Sequence, residues 1–175
     1  YGAGQMLVCA AGAVDHDDLV RRIEGRLGSL KSATDTNRLT PKWSAGREIV
    51  QRDLEQTHVV LGLPAIAASD KDRFALMAMS TLLGGGMSSR LFQQVREKRG
   101  LCYSIFSFAS MQSDCGNFAI YAGTSADQVD EMLGVVCAEL RDVANSVNCE
   151  EVARAKAQLR ASLLMARESV ASCTD

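Results

Sequence analysis

Residues 103–124, YSIFSFASMQSDCGNFAIYAGT, decide the fold. Tyr103 to Ser110 and Asn117 to Thr124 both alternate in polarity, with Phe106 and Phe108 on one face of the first run and Phe118 and Ile120 on one face of the second. Alternation at period two is the signature of a strand with one face in the core. The polar turn between them, containing Asp114, Cys115 and Gly116, is of hairpin length. It makes the two strands antiparallel neighbours.

Downstream, Ser125 and Gln128 read as a capping box before Val129, Met132, Leu133, Val136, Leu140 and Val143 at helical spacing, and Asn148 with Glu151 repeats the device before Val152, Ala155, Leu159 and Leu163. Upstream, Ser88 or Ser89 opens a helix that runs to Arg99 and closes at Gly100, where a left-handed residue fits. Ser69 and Asp72 cap a helix whose stretch Phe74 to Met79 is apolar all round and so needs cover on most sides. Gln56 to Leu63 has strong strand character and Arg47 to Asp53 a weaker one, while Lys31 to Gly46, with Pro41 and the lone Trp43, reads as an irregular connection. Asp15 and Asp18 open a helix carrying Leu19, Val20, Ile23, Leu27 and Leu30. Met6 to Ala11 is a short apolar run suited to a strand buried on both faces. The predicted order is β-α-β-β-α-α-β-β-α-α. That is an α+β two-layer sandwich, a mixed and largely antiparallel sheet covered by helices, forming a single domain over residues 1–175.

Composition narrows the function. The chain has 175 residues, of which 47% are apolar and 23% charged, as in an ordinary globular protein. Its net charge of −2 argues against a nucleic-acid partner, which needs a basic face to neutralise phosphates. The apolar runs fall far short of the ~18 residues that a membrane span requires. Six cysteines occur without a C-x-x-C pair, which predicts buried free thiols and a reducing compartment, so the expected location is the cytoplasm, with the periplasm as the alternative. His16 and His58 lie 42 positions apart, with no H-x-x-E-H or H-E-x-x-H, so no metal site is expected in this chain. A first residue of Tyr1 rather than Met points to a piece trimmed from a longer protein.

The chemistry concentrates in residues 82–103, LLGGGMSSRLFQQVREKRGLCY. Gly84, Gly85 and Gly86 match neither G-x-x-x-x-G-K-[ST] nor G-x-G-x-x-G and follow a helix, so a hinge is a better reading than a phosphate cradle. On a regular helix of about 100° per residue, Arg96 falls about 140° from Leu91, just beyond the apolar edge, and Arg99 about 80°, inside it. Geometry alone does not choose between the two arginines. From the residues alone, Arg96 to Arg99 is a solvated helix end whose cations complement the dipole, and Tyr103 is a half-buried rim aromatic.

The run LLGGGMSSRLFQQVREKRGLCYS, with DLEQTHVVLGLP before it and DCGNFAIYAGTS after it, closely resembles the M16 family of zinc metallopeptidases, the family of pitrilysin and the mitochondrial processing peptidase. The resemblance extends from Met6 to about Ser169 and is to the C-terminal-half, or inactive, domain of bacterial two-domain members. It implies that the zinc of the parent protein is held by an H-x-x-E-H motif on an N-terminal domain outside this chain. That domain is then the partner, a peptide is the substrate, and a homodimer or heterodimer is the expected assembly. It also implies that this half closes the substrate chamber and supplies an arginine and a tyrosine seven residues apart. The spacing is met by Arg96 and Tyr103, which favours Arg96 over Arg99. Gly84, Gly85 and Gly86, with Arg96, become the expected substrate-binding residues. The short GGGMSS resembles the stand-alone bacterial proteases rather than the long glycine-rich loop of the processing peptidase's alpha subunit.

Those residue types suit peptide hydrolysis, in which negative charge gathers on the carbonyl oxygen. A tyrosine hydroxyl can donate to that oxygen, and an arginine fork can grip backbone or a carboxylate. The competing reading keeps the fold and drops the chemistry: a non-catalytic scaffold, like relatives that became structural subunits of respiratory complexes. The two separate on whether the parent carries H-x-x-E-H.

Overall fold

The computed structural model describes residues 2–32, 39 and 41–174. It contains two compact units, Tyr1–Thr40 with Arg160–Asp175, and Pro41–Leu159.

The second unit is built on the hairpin. Strands β1 (Thr57–Ala65), β2 (Ser104–Met111) and β3 (Gly116–Thr124) form an antiparallel sheet in the order β1-β3-β2. Ala122 of β3 pairs with Val59 on one side and Ile105 on the other, and Ile120 with Leu61 and Ser107. These residues face the helices. Ile105, Phe118, Ile120 and Ala122 join Leu83, Leu91, Val95, Met132 and Val136 in one core. The alternate residues form the second face, where Phe106 and Phe108 remain about half exposed and Phe106 packs on Tyr121 with ring centroids 4.9 Å apart. The Trp43 ring reaches that face over Gly62.

Helix α2 (Arg73–Gly84) brings Leu82 and Leu83 into the core. The expected Ser69–Asp72 cap does not form: Asp70 Oδ1 accepts the Asp72 N–H at 2.9 Å, while the Ser69 hydroxyl donates to the Ser113 carbonyl. Nor is the helix covered all round, since Phe74 is exposed, with the Arg73 guanidinium 4.5 Å above its ring. Helix α3 (Val129–Ser146) starts without a side-chain cap, because the Ser125 hydroxyl bonds the Gln128 side chain at 3.0 Å instead. At α4 (Cys149–Ala166) the box is complete: the Glu151 N–H donates to Asn148 Oδ1 at 2.9 Å and the Asn148 N–H to Glu151 Oε2 at 3.1 Å.

In the first unit, α1 (His16–Leu27) begins as the sequence predicts, with Asp15 Oδ1 accepting the Asp18 N–H at 2.8 Å.

Two expected strands are corrected. Met6 to Ala11 has no ladder partner, and its Leu7 is 88% exposed. Arg47 to Asp53 is also irregular: four charged residues surround Ile49 and Val50, both exposed. A strand needs a hydrogen-bonded neighbour, and neither segment finds one among the described residues. The α+β class holds, but the sheet among the described residues is wholly antiparallel rather than mixed. Part of the predicted connection, residues 33–38 and 40, lies outside the described residues. The six cysteines are free, but only Cys102 is buried; Cys9, Cys149 and Cys173 are exposed, against expectation.

Candidate functional site

The residues singled out from the sequence lie between the end of α2 and the start of β2. Gly84 is buried at the close of α2, where a β-carbon would stand 2.3 Å from the Ser107 backbone nitrogen. Its lack of a side chain lets helix and strand touch. Gly85 is exposed and Gly86 half-buried, and the Gln158 side chain of α4 donates to the Gly85 carbonyl.

The helix expected from Ser89 to Arg99 is shorter and wider. Phe92–Glu97 form a π-helix, and the Lys98 N–H donates to the Gln93 carbonyl five residues back. Single π turns are uncommon and recur at functional sites. This turn carries Leu91 and Val95 into the core with no exposed surface. Gly100 then reverses the chain at φ +64°, its N–H on the Arg96 carbonyl and the Leu101 N–H on the Val95 carbonyl, both at 3.0 Å. Only a residue without a β-carbon takes that φ at no cost. Tyr103 leads into β2, pinned by its N–H on the Gly123 carbonyl at 2.8 Å, with its side chain exposed.

The three arginines of this segment have different surroundings. Arg99, inside the apolar edge on a regular wheel but read as part of a solvated helix end, is exposed and curls back so that one nitrogen donates to the Gln94 carbonyl at 2.6 Å and to its side-chain oxygen. The π turn and its early end displace Arg99 from the wheel position. Arg96 is exposed, with its guanidinium 4.7 Å over the Phe92 ring. Among the described residues it has no side-chain hydrogen bond or ion pair. Burial pushes the Cys102 thiol up, and the Arg96 cation pulls it back, so the guanidinium acts beside the residue preceding Tyr103. The Tyr103 hydroxyl likewise has no partner among the described residues. Thus Arg96 and Tyr103 flank one reversal with their donors free.

Arg90 escaped the sequence reading. Its side chain is 12% exposed and fixed to Glu151 through Nε at 2.6 Å and a second nitrogen at 2.8 Å. Its remaining bonds go to Asp142, the Ser146 hydroxyl and the Ser146 carbonyl. No periodicity marks it, because its partners lie 52 to 61 residues away.

The sequence profile of the family described as "Peptidase M16 inactive domain" matches residues 1–159. The chain belongs to that family. As an M16 inactive domain it is 41% identical over 98% of its length to an "Uncharacterized zinc protease" of Rickettsia felis, and spans 42% of that relative. A solved M16 inactive domain from Pseudomonas fluorescens shares 32% identity over 62% of this chain and 27% of its own, with a TM-score of 0.58. A chain of Complex III2 from Candida albicans, 19% identical, shares the fold alone, at a TM-score of 0.75 over 92% of this chain and 41% of its own. The M16 domain described here is therefore about two fifths the length of the curated relatives it matches.

Zinc does not fit the described residues. Among the described residues no group of three or more His, Cys, Asp or Glu side chains is arranged to hold a metal ion, and His58 is engaged through Nδ1 with the Tyr121 hydroxyl at 2.7 Å. No helix of the described residues is long and apolar enough to cross a membrane.

Proposed function

We propose that this chain is the half of a zinc-dependent endopeptidase that carries no zinc. It closes the substrate chamber over an N-terminal M16 domain that holds the metal, and Arg96 and Tyr103 reach the bound peptide. Family membership and the zinc-protease name of the Rickettsia felis relative support the parent activity. The observation that carries the site reading is the contrast in donor use: Arg90 and Arg99 are engaged, whereas Arg96 and Tyr103 present donors unpaired among the described residues at one exposed reversal.

In this reading the Tyr103 hydroxyl donates to the scissile carbonyl oxygen as its charge grows, and Arg96 holds the peptide backbone or a carboxylate. Gly85 and Gly86 border the peptide path through backbone groups, with Gly84 behind them.

The test is steady-state cleavage of a fluorogenic peptide by the full-length protein. Tyr103→Phe lowers kcat on the order of 10²-fold, the usual cost of one oxyanion donor, with KM nearly unchanged. Arg96→Ala raises KM or lowers kcat while the melting temperature stays close to wild type. Arg99→Ala leaves turnover near normal. Wild-type constants in both Tyr103→Phe and Arg96→Ala would remove these two side chains from the site, whereas a full-length protein that cleaves no peptide would leave the scaffold reading standing. Damage from Arg99→Ala alone would move the role to the other arginine.

A further inference from the structure

We infer that Arg90 is the positioning residue of the π turn: it sets where Arg96 points without touching the peptide itself. The inference rests on the reading that Arg96 binds substrate.

A guanidinium has five N–H donors, and all five of Arg90's are used. Nε and one Nη take the two Glu151 oxygens at 2.6 and 2.8 Å. That second Nη also donates to the Ser146 carbonyl at 3.0 Å, and the other Nη to Asp142 at 3.1 Å and the Ser146 hydroxyl at 2.8 Å. A saturated fork has nothing left to offer a ligand. The acceptors are themselves held: the Ser146 hydroxyl donates to Asp142, and Glu151 simultaneously caps α4 through Asn148. Arg90 thereby ties the first turn of the site helix to the end of α3 and the start of α4.

That tie supplies what the core cannot. Leu91 and Val95 fix the depth of the π turn, but apolar contacts are non-directional and resist rotation about the helix axis only weakly. Five aligned hydrogen bonds one residue before Leu91 fix both rotation and axial position. At the far end Gly100 turns the chain, and between the two anchors lies Arg96, held from its own side only by the Phe92 ring. A loosened Arg90 therefore swings Arg96 before it disturbs the core.

Arg90→Lys in the full-length protein tests this, because lysine keeps the charge and loses the fork. Peptide cleavage should fall on the order of 10- to 10²-fold in kcat/KM, the scale of a roughly 1 Å misplacement, and in the same parameter that Arg96→Ala alters. Added to Arg96→Ala, Arg90→Lys should cost nothing further, since both act through one guanidinium. Amide hydrogen exchange at Gly100 and Leu101, whose N–H groups close the turn, should quicken. Should Arg90→Lys fail to fold, Ser146→Ala removes a single partner and should give the same pattern at smaller size. Full additivity of the Arg90 and Arg96 changes, or unaltered exchange at Gly100 and Leu101, overturns the inference. Wild-type kinetics in Arg96→Ala overturns the peptide-binding role proposed for Arg96 instead, and the exchange rates then decide alone whether Arg90 holds the turn.

Discussion

Gly84→Ala separates a packing role for the triglycine segment from a peptide-binding one. At Gly84 a methyl group would lie 2.3 Å from Ser107 N, 2.7 Å from Ser107 Oγ and 2.9 Å from the Phe106 carbonyl carbon. Favourable heavy-atom contacts begin near ~3.5 Å, so α2 and β2 must part by about 1 Å. Two of the three clashing atoms are backbone and cannot rotate away. Overpacking of this kind costs about 1–3 kcal/mol. Parting the elements also strains the bond from the Ser107 hydroxyl to the Ser80 carbonyl, 2.8 Å long and buried, whose loss costs about 1–3 kcal/mol more. Alanine's better helix propensity returns at most about 1 kcal/mol. The net is a loss of about 2–4 kcal/mol, which for a chain of this size lowers the melting temperature by about 5–15 °C. Gly86→Ala is the control, because its methyl meets only the movable Gln158 side chain, at 3.1 Å. It should shift the melting temperature by about 2 °C or less. Thermal unfolding followed by circular dichroism, with peptide KM measured on the same preparations, reads both roles. A Gly84→Ala protein that melts like wild type but binds peptide poorly would refute the packing argument.

Two further outcomes follow from the same geometry. Hydrogen bonding from Arg90 holds the Glu151 carboxyl below the ordinary glutamate range, so its contribution is complete above the unfolded value of about 4.3 and disappears as pH falls below it. Glu151→Gln should therefore melt well below wild type at pH 7, with the gap narrowing under pH 4; a constant gap would contradict it. Glu139, pushed up by burial, works in the opposite sense but is common to both proteins. The isolated chain should retain no stoichiometric zinc after dialysis, since its described residues offer no ligand cluster, and one tightly held zinc per chain by metal analysis would contradict that.

What was legible in the sequence was local. The hairpin announces itself because alternation and turn residues lie within 22 positions, and both the Asn148–Glu151 box and the left-handed Gly100 depend on neighbours a few residues away. Strands at Met6 to Ala11 and Arg47 to Asp53 were misread because a strand is defined by a partner that its own residues do not name. The wheel angle of Arg99 carried no weight, because it assumes a regular helix, whereas Phe92–Glu97 wind more widely and Arg99 lies in the solvated helix end. Glu151 was recognisable as a cap, but not as the anchor of an arginine 61 positions earlier.

The segment from Arg90 to Arg99 resolves a basic stretch into distinct physical states through the use of donors rather than through charge. A guanidinium that recognises a ligand must be held in place while its N–H groups stay free. Ordinary anchoring by hydrogen bonds defeats that purpose, as Arg90 illustrates, because every bond that fixes the fork removes a donor from it. Stacking on an aromatic face does not: the ring attracts the cation through its quadrupole and leaves the in-plane N–H groups pointing outwards. Arg96 over Phe92 has that arrangement. In the proposed function the two requirements, position and availability, are divided between two residues six apart on one short helix. On the proposed reading, Arg90 commits all its donors to the scaffold, Arg96 keeps its own free, and the π turn between them fixes the relation of one to the other.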